Sequence, residues 1–136
     1  MLNEDYIQTV NIALERLLVY ETVFKEYGLT CHKLEIGNCL ATESFSQLHD
    51  YFSRNVLRFN RFVSDCSKFK APHGYTTFNR TFIHCLEQTQ QAVSMMLMAI
   101  EDDGVNHQLY DRGVKMQEQA RAQLDAAFAT IDAKAI

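Results

Sequence analysis

Apolar residues recur at intervals of three and four along most of this chain, and Pro72 is its single proline. Such spacing places apolar side chains on one face of a helix and is typical of amphipathic helices rather than strands. Because an isolated amphipathic helix is only marginally stable in water, several helices must cover one another's apolar faces. The sequence therefore predicts an all-α fold. The most regular apolar series consists of Phe45, Leu48, Phe52, Phe59, Phe62, Cys66 and Phe69.

Local signals mark the limits of the first two helices. The apolar spacing predicts a first helix from Asn3 to Tyr27, and Gly28 follows it as the expected stop. Residues 29–41 show no clear period and are expected to form a loop. Ser44, with Gln47 three positions later, resembles a capping box, so the second helix is expected to start there.

Two further helices are expected after the proline. Pro72 and Gly74 interrupt the second helix, and Thr76 or Thr77 is expected to cap the third. The third helix should end before an acidic turn at residues 101–104, and the fourth should begin near Asn106. Small residues at seven-residue spacing in the fourth helix, which would admit a close neighbouring helix, are Gly113, Ala120 and Ala127.

The connections between the last three helices are short, which favours antiparallel neighbours. The simplest closure is an antiparallel up-down-up-down four-helix bundle, formed as a single domain over residues 1–136. In such a bundle the first and third connections lie at one end, whereas Pro72 and the chain termini lie at the other.

Composition indicates the compartment and disfavours some partners. Residues 1–6 are acidic where a secretory signal would be basic, and no run of about 18 apolar residues suggests a membrane span. We therefore expect a cytoplasmic protein with reduced cysteines, of which Cys66 and Cys85 occupy apolar helical positions. The net charge of −4 opposes attraction to phosphate, so nucleic acid is not the expected partner.

Cysteine and histidine residues are expected to gather at one end of the bundle. Cys31, His32 and Cys39 belong to the expected long loop, and His107 lies at the start of the fourth helix. Thiolate and imidazole are the ligands that zinc prefers, so these four residues form a candidate metal site. The spacing is not that of paired CxxC motifs, and the alternative interpretation is that they are ordinary loop residues.

Polar residues at helix-facing positions form a second candidate site. Counting residues along the helices from that same end of the bundle places Glu21, His49 and Arg112 at about the same distance along the bundle axis. There the Glu21 carboxylate could orient the His49 imidazole. One level further in, Asn55 and Thr89 occupy positions that are otherwise apolar, and buried polar groups need partners. The alternative is structural, because polar seam residues often fix the register between helices.

Two surface features predict a partner surface. Basic residues at helical spacing follow one side of the second helix, interrupted by Asp65. Methionines on the third helix add an adaptable apolar surface. The alternative for the basic residues is a solvated face paired with neighbouring acids. The candidate residues are Arg54, Arg58, Arg61 and Lys68, with Met95 and Met98.

The favoured function is a non-enzymatic helical interaction module, a small cytosolic regulator or adaptor that acts through a protein partner or through self-association as a homo-oligomer. The sequence carries no convincing catalytic motif, and no catalytic residue or cofactor is predicted. His49 and His84 lie in expected helices but in no phosphotransfer motif, so ordinary roles are favoured for them. The alternative is a ligand-binding or metal-binding four-helix bundle, because ligands can occupy the space between helices.

Overall fold

Four helices pack against one another in the computed structural model. The structure describes residues 3–37 and 44–135, and it describes side chains as far as Ile131. They are α1 (Asn3–Glu35), α2 (Phe45–Cys66), α3 (Thr76–Met98) and α4 (His107–Ala135). A two-residue antiparallel hairpin of β1 (Ile100–Glu101) and β2 (Gly104–Val105) connects α3 to α4. The predicted all-α four-helix bundle is confirmed.

Aromatic rings fix the packing of α1 on α2. The Tyr20 ring lies 5.1 Å from that of Phe59, and the Tyr27 ring lies 5.0 Å from that of Phe52. Higher numbers on α1 thus face lower numbers on α2, so the two helices are antiparallel. Phe24 fills the space between these pairs and is 1% exposed, because both helices place apolar residues on the facing side.

Small residues on α4 allow it to approach α3 closely. Gly113 and Ala120 are buried, and a Cβ added at Gly113 would lie 2.7 Å from Met96 Cγ. Near the other end of α4, the rings of Phe128 and Phe78 are 5.3 Å apart, so α4 runs antiparallel to α3. The close approach predicted from the spacing of small residues is confirmed at Gly113, while Ala120 is buried and Ala127 is half-buried.

The first helix is longer than predicted. It continues through Gly28 to Glu35, and residues 29–35, which were expected to belong to a loop, are helical. Gly28 is not a stop but a point of close approach, since a Cβ there would meet the Tyr110 hydroxyl at 3.0 Å. The turn after the helix is made by Gly37, whose φ of 71° lies in the left-handed region that glycine adopts at little cost.

The other helix ends agree only in part with the prediction. Ser44 caps α2 by accepting a hydrogen bond from the Gln47 backbone N–H at 3.1 Å, as the capping pattern predicts. The prediction for α3 was wrong, because Tyr75 occupies the N-cap position and makes no side-chain capping bond. Asn106 caps α4 through Leu109 N–H. The short hairpin was not predicted, since two residues per strand leave no alternating pattern.

Candidate functional site

The structure pairs Glu21 with a different arginine from the one predicted. Arg121 Nη1 donates to Glu21 Oε1 at 3.0 Å, and Arg121 Nε lies 3.0 Å from Asp125 Oδ1. Arg112 is exposed and lies nine residues earlier on α4, about 14 Å along the helix axis. The difference arises because α1 continues to Glu35, which changes the height at which its residues face α4.

His49 is also separated from Glu21. Tyr20, which precedes Glu21, packs its ring against Phe59 at 5.1 Å. Phe59 is ten residues beyond His49 on α2, or about 15 Å along the axis. Consequently, the structure does not assemble Glu21, His49 and Arg112 into one site.

Asn55 and Thr89, predicted to lie at one level of the bundle, make hydrogen bonds in two separate places. Asn55 Nδ2 donates to the Tyr27 hydroxyl, which links α2 to α1, and also to the Tyr51 carbonyl at 3.2 Å. The buried Thr89 hydroxyl donates to the Cys85 carbonyl one turn earlier in its own helix, at 2.9 Å. Each polar group is therefore satisfied separately, and the contacts are structural ones.

The candidate metal ligands have different surroundings. Cys31 is 4% exposed, and burial, reinforced by the charge of Glu35, raises the pKa of its thiol to about 11. His32 is exposed, while His107 Nε2 lies 2.6 Å from Glu35 Oε2. Cys39 lies outside the described residues. Within residues 3–37 and 44–131, no three His, Cys, Asp or Glu side chains are grouped so that they could hold a metal ion.

The outward side of α2 carries exposed arginines and apolar groups, which we call the arginine face: Tyr51, Arg54, Leu57, Arg58 and Arg61. Tyr51 and Leu57 are 53% and 61% exposed, and the Arg54 guanidinium lies 5.7 Å from the centre of the Tyr51 ring. In the described parts of the chain, none of the three arginines has a carboxylate within salt-bridge distance. In the described residues these three guanidinium groups form no ion pair, and Asp50 and Asp65 lie one helical turn from Arg54 and Arg61.

The remaining predicted surface residues lie near this face or on α3. Lys68 lies 4.0 Å from Asp65, and both side chains are well exposed, so the pair contributes little to stability. Met98 is 70% exposed and Met95 is half-buried, and both line a shallow depression on α3. Met96 is in the core, at 3% exposure.

A groove between α1 and α4 was not predicted from the sequence. Its volume is about 650 Å³, and apolar atoms provide most of its exposed lining surface. Phe24 and Met96 are its most deeply buried lining residues, at 1% and 3% exposure. Arg121 and Asp125 are four residues apart, so their ion pair within α4 could have been recognised from the sequence. The partner of Arg121 on α1, Glu21, depends on the register between the two helices. Further lining residues are Gly28, Leu29, Tyr110, Val114, Glu21 and Arg121.

Two polar groups of this groove are shielded from water. The pKa of Glu21 is raised chiefly by burial, against the attraction of Arg121 and with a smaller contribution from Asp125. The Tyr110 hydroxyl is buried and makes no hydrogen bond with the described residues. Burial raises its pKa far above the usual range, so the hydroxyl keeps its proton. A protonated hydroxyl without a partner is a donor available to a suitable acceptor.

Comparison with protein-family models, with curated proteins and with solved structures finds no match to this chain. None of the helices in the described residues combines the length and apolar character that crossing a bilayer requires. Function must therefore be inferred from the surfaces of this molecule.

Proposed function

We propose that this protein is a non-enzymatic interaction module, a small cytoplasmic regulator or adaptor, whose arginine face binds an acidic amphipathic segment of a partner protein. The proposal depends on one observation: Arg54, Arg58 and Arg61 are exposed and, in the described part of the chain, unpaired. Carboxylates of a partner would pair with these guanidinium groups. Tyr51 and Leu57 would cover its apolar side chains, since aromatic residues and arginine commonly anchor protein interfaces.

A protein partner fits this face better than nucleic acid does. The net charge of −4 would repel a phosphate backbone that extended beyond three arginines. Leu57, at 61% exposure, offers nothing to a phosphate but can pack against a leucine or phenylalanine. The chemistry therefore favours a short segment with acidic and apolar residues on one side.

Self-association is a second part of the proposal, supported by exposed aliphatic groups on α1. They lie on a helix whose other side packs against α2, and a second copy would remove them from water. Native mass spectrometry measures this directly, because a dimer mass supports it and a lone monomer at micromolar concentration contradicts it. The exposed residues are Ile7, Ile12, Leu18, Val19 and Leu29. A cytoplasmic location agrees with Cys31, Cys66 and Cys85, which are free and buried.

A matched pair of charge-reversed variants tests the arginine face. The first variant carries Arg54→Glu, Arg58→Glu and Arg61→Glu; the control carries Lys33→Glu, Arg112→Glu and Lys115→Glu, all at exposed positions. Both variants have the same net charge. The probe is a fluorescent helical peptide with glutamate and leucine on one face, followed by anisotropy at several salt concentrations.

We expect the wild type and the control to bind the peptide, more weakly as salt rises, and the arginine-face variant to bind at least about tenfold more weakly. Equal binding by all three proteins would overturn the proposal. Tighter binding of a single-stranded oligonucleotide than of the peptide would also overturn it. So would turnover or a tightly held cofactor in a protein that binds no partner.

A further inference from the structure

The groove between α1 and α4 has the size and lining of a small-molecule site. Its volume of about 650 Å³ lies in the range typical of such sites, roughly 300–1,000 Å³. Phe24 and Met96 line it from the core, and Val114 lies on the α4 side. Leu29 stands at the α1 edge with 49% of its surface exposed. A mainly apolar molecule in the groove would cover this surface.

Two contacts limit the groove along the helices. Gly28 meets Tyr110 at one level, and Glu21 meets Arg121 at another. The contacts are seven residues apart on α1 and eleven apart on α4, which corresponds to about 10 to 16 Å of helix. An extended molecule of about this length fits between the two contacts.

The charges around the groove disfavour an anionic ligand. Arg121 is held by Glu21 and Asp125, and the lining also includes Lys25 and Glu118. These five side chains sum to one negative charge when all are ionised. An added carboxylate or phosphate would compete with Glu21 and Asp125 for Arg121. An uncharged polar group avoids this repulsion.

Tyr110 supplies the polar feature that a ligand would recognise. Its hydroxyl is buried without a hydrogen-bond partner among the described residues, an arrangement that costs free energy and that a phenylalanine would avoid. The hydroxyl lies against Gly28, where a Cβ would come within 3.0 Å. The Tyr110 side chain also lines the groove, so a small separation of α1 from Tyr110 would let the hydroxyl donate to a ligand oxygen.

We propose that this groove binds an elongated, uncharged, mainly apolar molecule whose oxygen accepts a hydrogen bond from the Tyr110 hydroxyl. The site is on the α1–α4 side of the bundle, and the arginine face is on α2. Ligand binding in the groove and partner binding at the arginine face are thus separate properties, and failure of one leaves the other standing.

Titration with 1-decanol, followed by backbone amide NMR shifts, tests the proposal. Decanol combines an uncharged oxygen with an apolar chain, and decanoate and decylammonium of the same chain length are the charged comparisons. The Gly28 amide lies at the groove, whereas Gly74 lies in the turn between α2 and α3, outside the groove lining, and serves as the internal reference. We expect saturable shifts at Gly28 with little change at Gly74, and weaker binding of decanoate than of decanol.

Three variants make the test specific. Tyr110→Phe should bind decanol about fivefold more weakly, and without ligand it should unfold at a higher temperature than the wild type, because the unpaired hydroxyl is gone. Tyr20→Phe removes a hydroxyl from a ring that packs against Phe59, outside the groove, and should change neither property. Ala122→Trp places an indole at the exposed edge of the groove and should abolish binding.

Several results would overturn this inference. These are no saturable shift at Gly28, equal affinity of Tyr110→Phe and wild type for decanol, or tighter binding of decanoate. Equal shifts at Gly28 and Gly74 would mean that decanol perturbs the whole bundle, and the groove would then not be a site.

Discussion

Gly28 and Gly113 both lie inside helices, but in different surroundings. A Cβ at position 28 would meet only the Tyr110 side chain, with the hydroxyl at 3.0 Å. A Cβ at position 113 would lie 2.8 Å from the Ala92 carbonyl oxygen and 2.7 Å from Met96 Cγ. A tyrosine ring can move aside, whereas the α3 backbone can move only if α3 and α4 separate.

The same substitution should therefore have different effects at the two glycines. Gly113→Ala is expected to lower the free energy of unfolding by about 1–3 kcal/mol, because it overpacks the α3–α4 contact. Gly28→Ala should change it by less than about 1 kcal/mol, since the helix propensity of alanine offsets the displacement of Tyr110. Urea unfolding at pH 7 measures both values. A Gly113→Ala protein as stable as the wild type would contradict the close packing.

The buried thiols give a second residue-scale prediction. Burial raises the pKa of Cys31 and of Cys66 to about 11, and it also raises the pKa of Cys85. Because the thiolate is the reactive form, iodoacetamide at pH 8 should modify these cysteines slowly in the folded protein and rapidly in urea. Mass spectrometry of the alkylated peptides distinguishes the sites. Rapid modification of any of the three without urea would show that it is not buried.

At the scale of single elements, α2 was predictable and the end of α1 was not. The apolar series of α2 is bounded by Ser44 and Pro72, so its capping residue and its core face could both be inferred locally. Gly28 gave an equally local signal, but the residue that explains it, Tyr110, is 82 positions away. Only tertiary packing shows whether a glycine ends a helix or makes room for a neighbour.

Proline substitution tests the length of α1. Thr30 lies inside the helix and its hydroxyl bonds to the Glu26 carbonyl at 3.0 Å. Thr30→Pro should cost about 3 kcal/mol or more in the free energy of unfolding, because proline removes a helical hydrogen bond and clashes with the preceding turn. Thr30→Ala, which keeps the backbone bond, should cost much less. Similar small effects of both substitutions would place residue 30 in a loop.

The ion pair between Glu21 on α1 and Arg121 on α4 predicts that stability depends on pH. The pKa of Glu21 is raised in the folded protein, so folding favours its protonated form, and its contribution to stability falls as pH rises through that pKa. Arg121 opposes this effect. Arg121→Met should therefore destabilise the protein by about 1 kcal/mol at pH 7 and by less at pH 4, where Glu21 is largely protonated. Arg112→Met, at an exposed position, serves as the control and should show no such difference. An equal loss at both pH values would exclude the Glu21 carboxylate as the cause.

At the scale of the whole molecule, the sequence predicts the directions of the helices but not their axial register, that is, which residues of neighbouring helices lie opposite one another. Alternating directions follow from short connections, whereas the residues that meet across α1 and α4 depend on where α1 ends. A difference of two to three turns replaces Arg112 with Arg121 as the partner of Glu21. It also places Gly28 against Tyr110, which defines one limit of the groove. The three arginines of the arginine face, by contrast, lie on a single helix and were singled out from the sequence, whereas Tyr51 and Leu57 were not.

The contact between Gly28 and Tyr110 is the most direct test of this architecture, because it requires both a continuous α1 and its register against α4. A nuclear Overhauser experiment on the isotope-labelled protein measures it. We expect cross-peaks between the Gly28 α-protons and the ring protons of Tyr110, together with helical Cα shifts for residues 29–35. The absence of these cross-peaks, with loop-like shifts after Gly28, would contradict both the fold of α1 and the groove built on it.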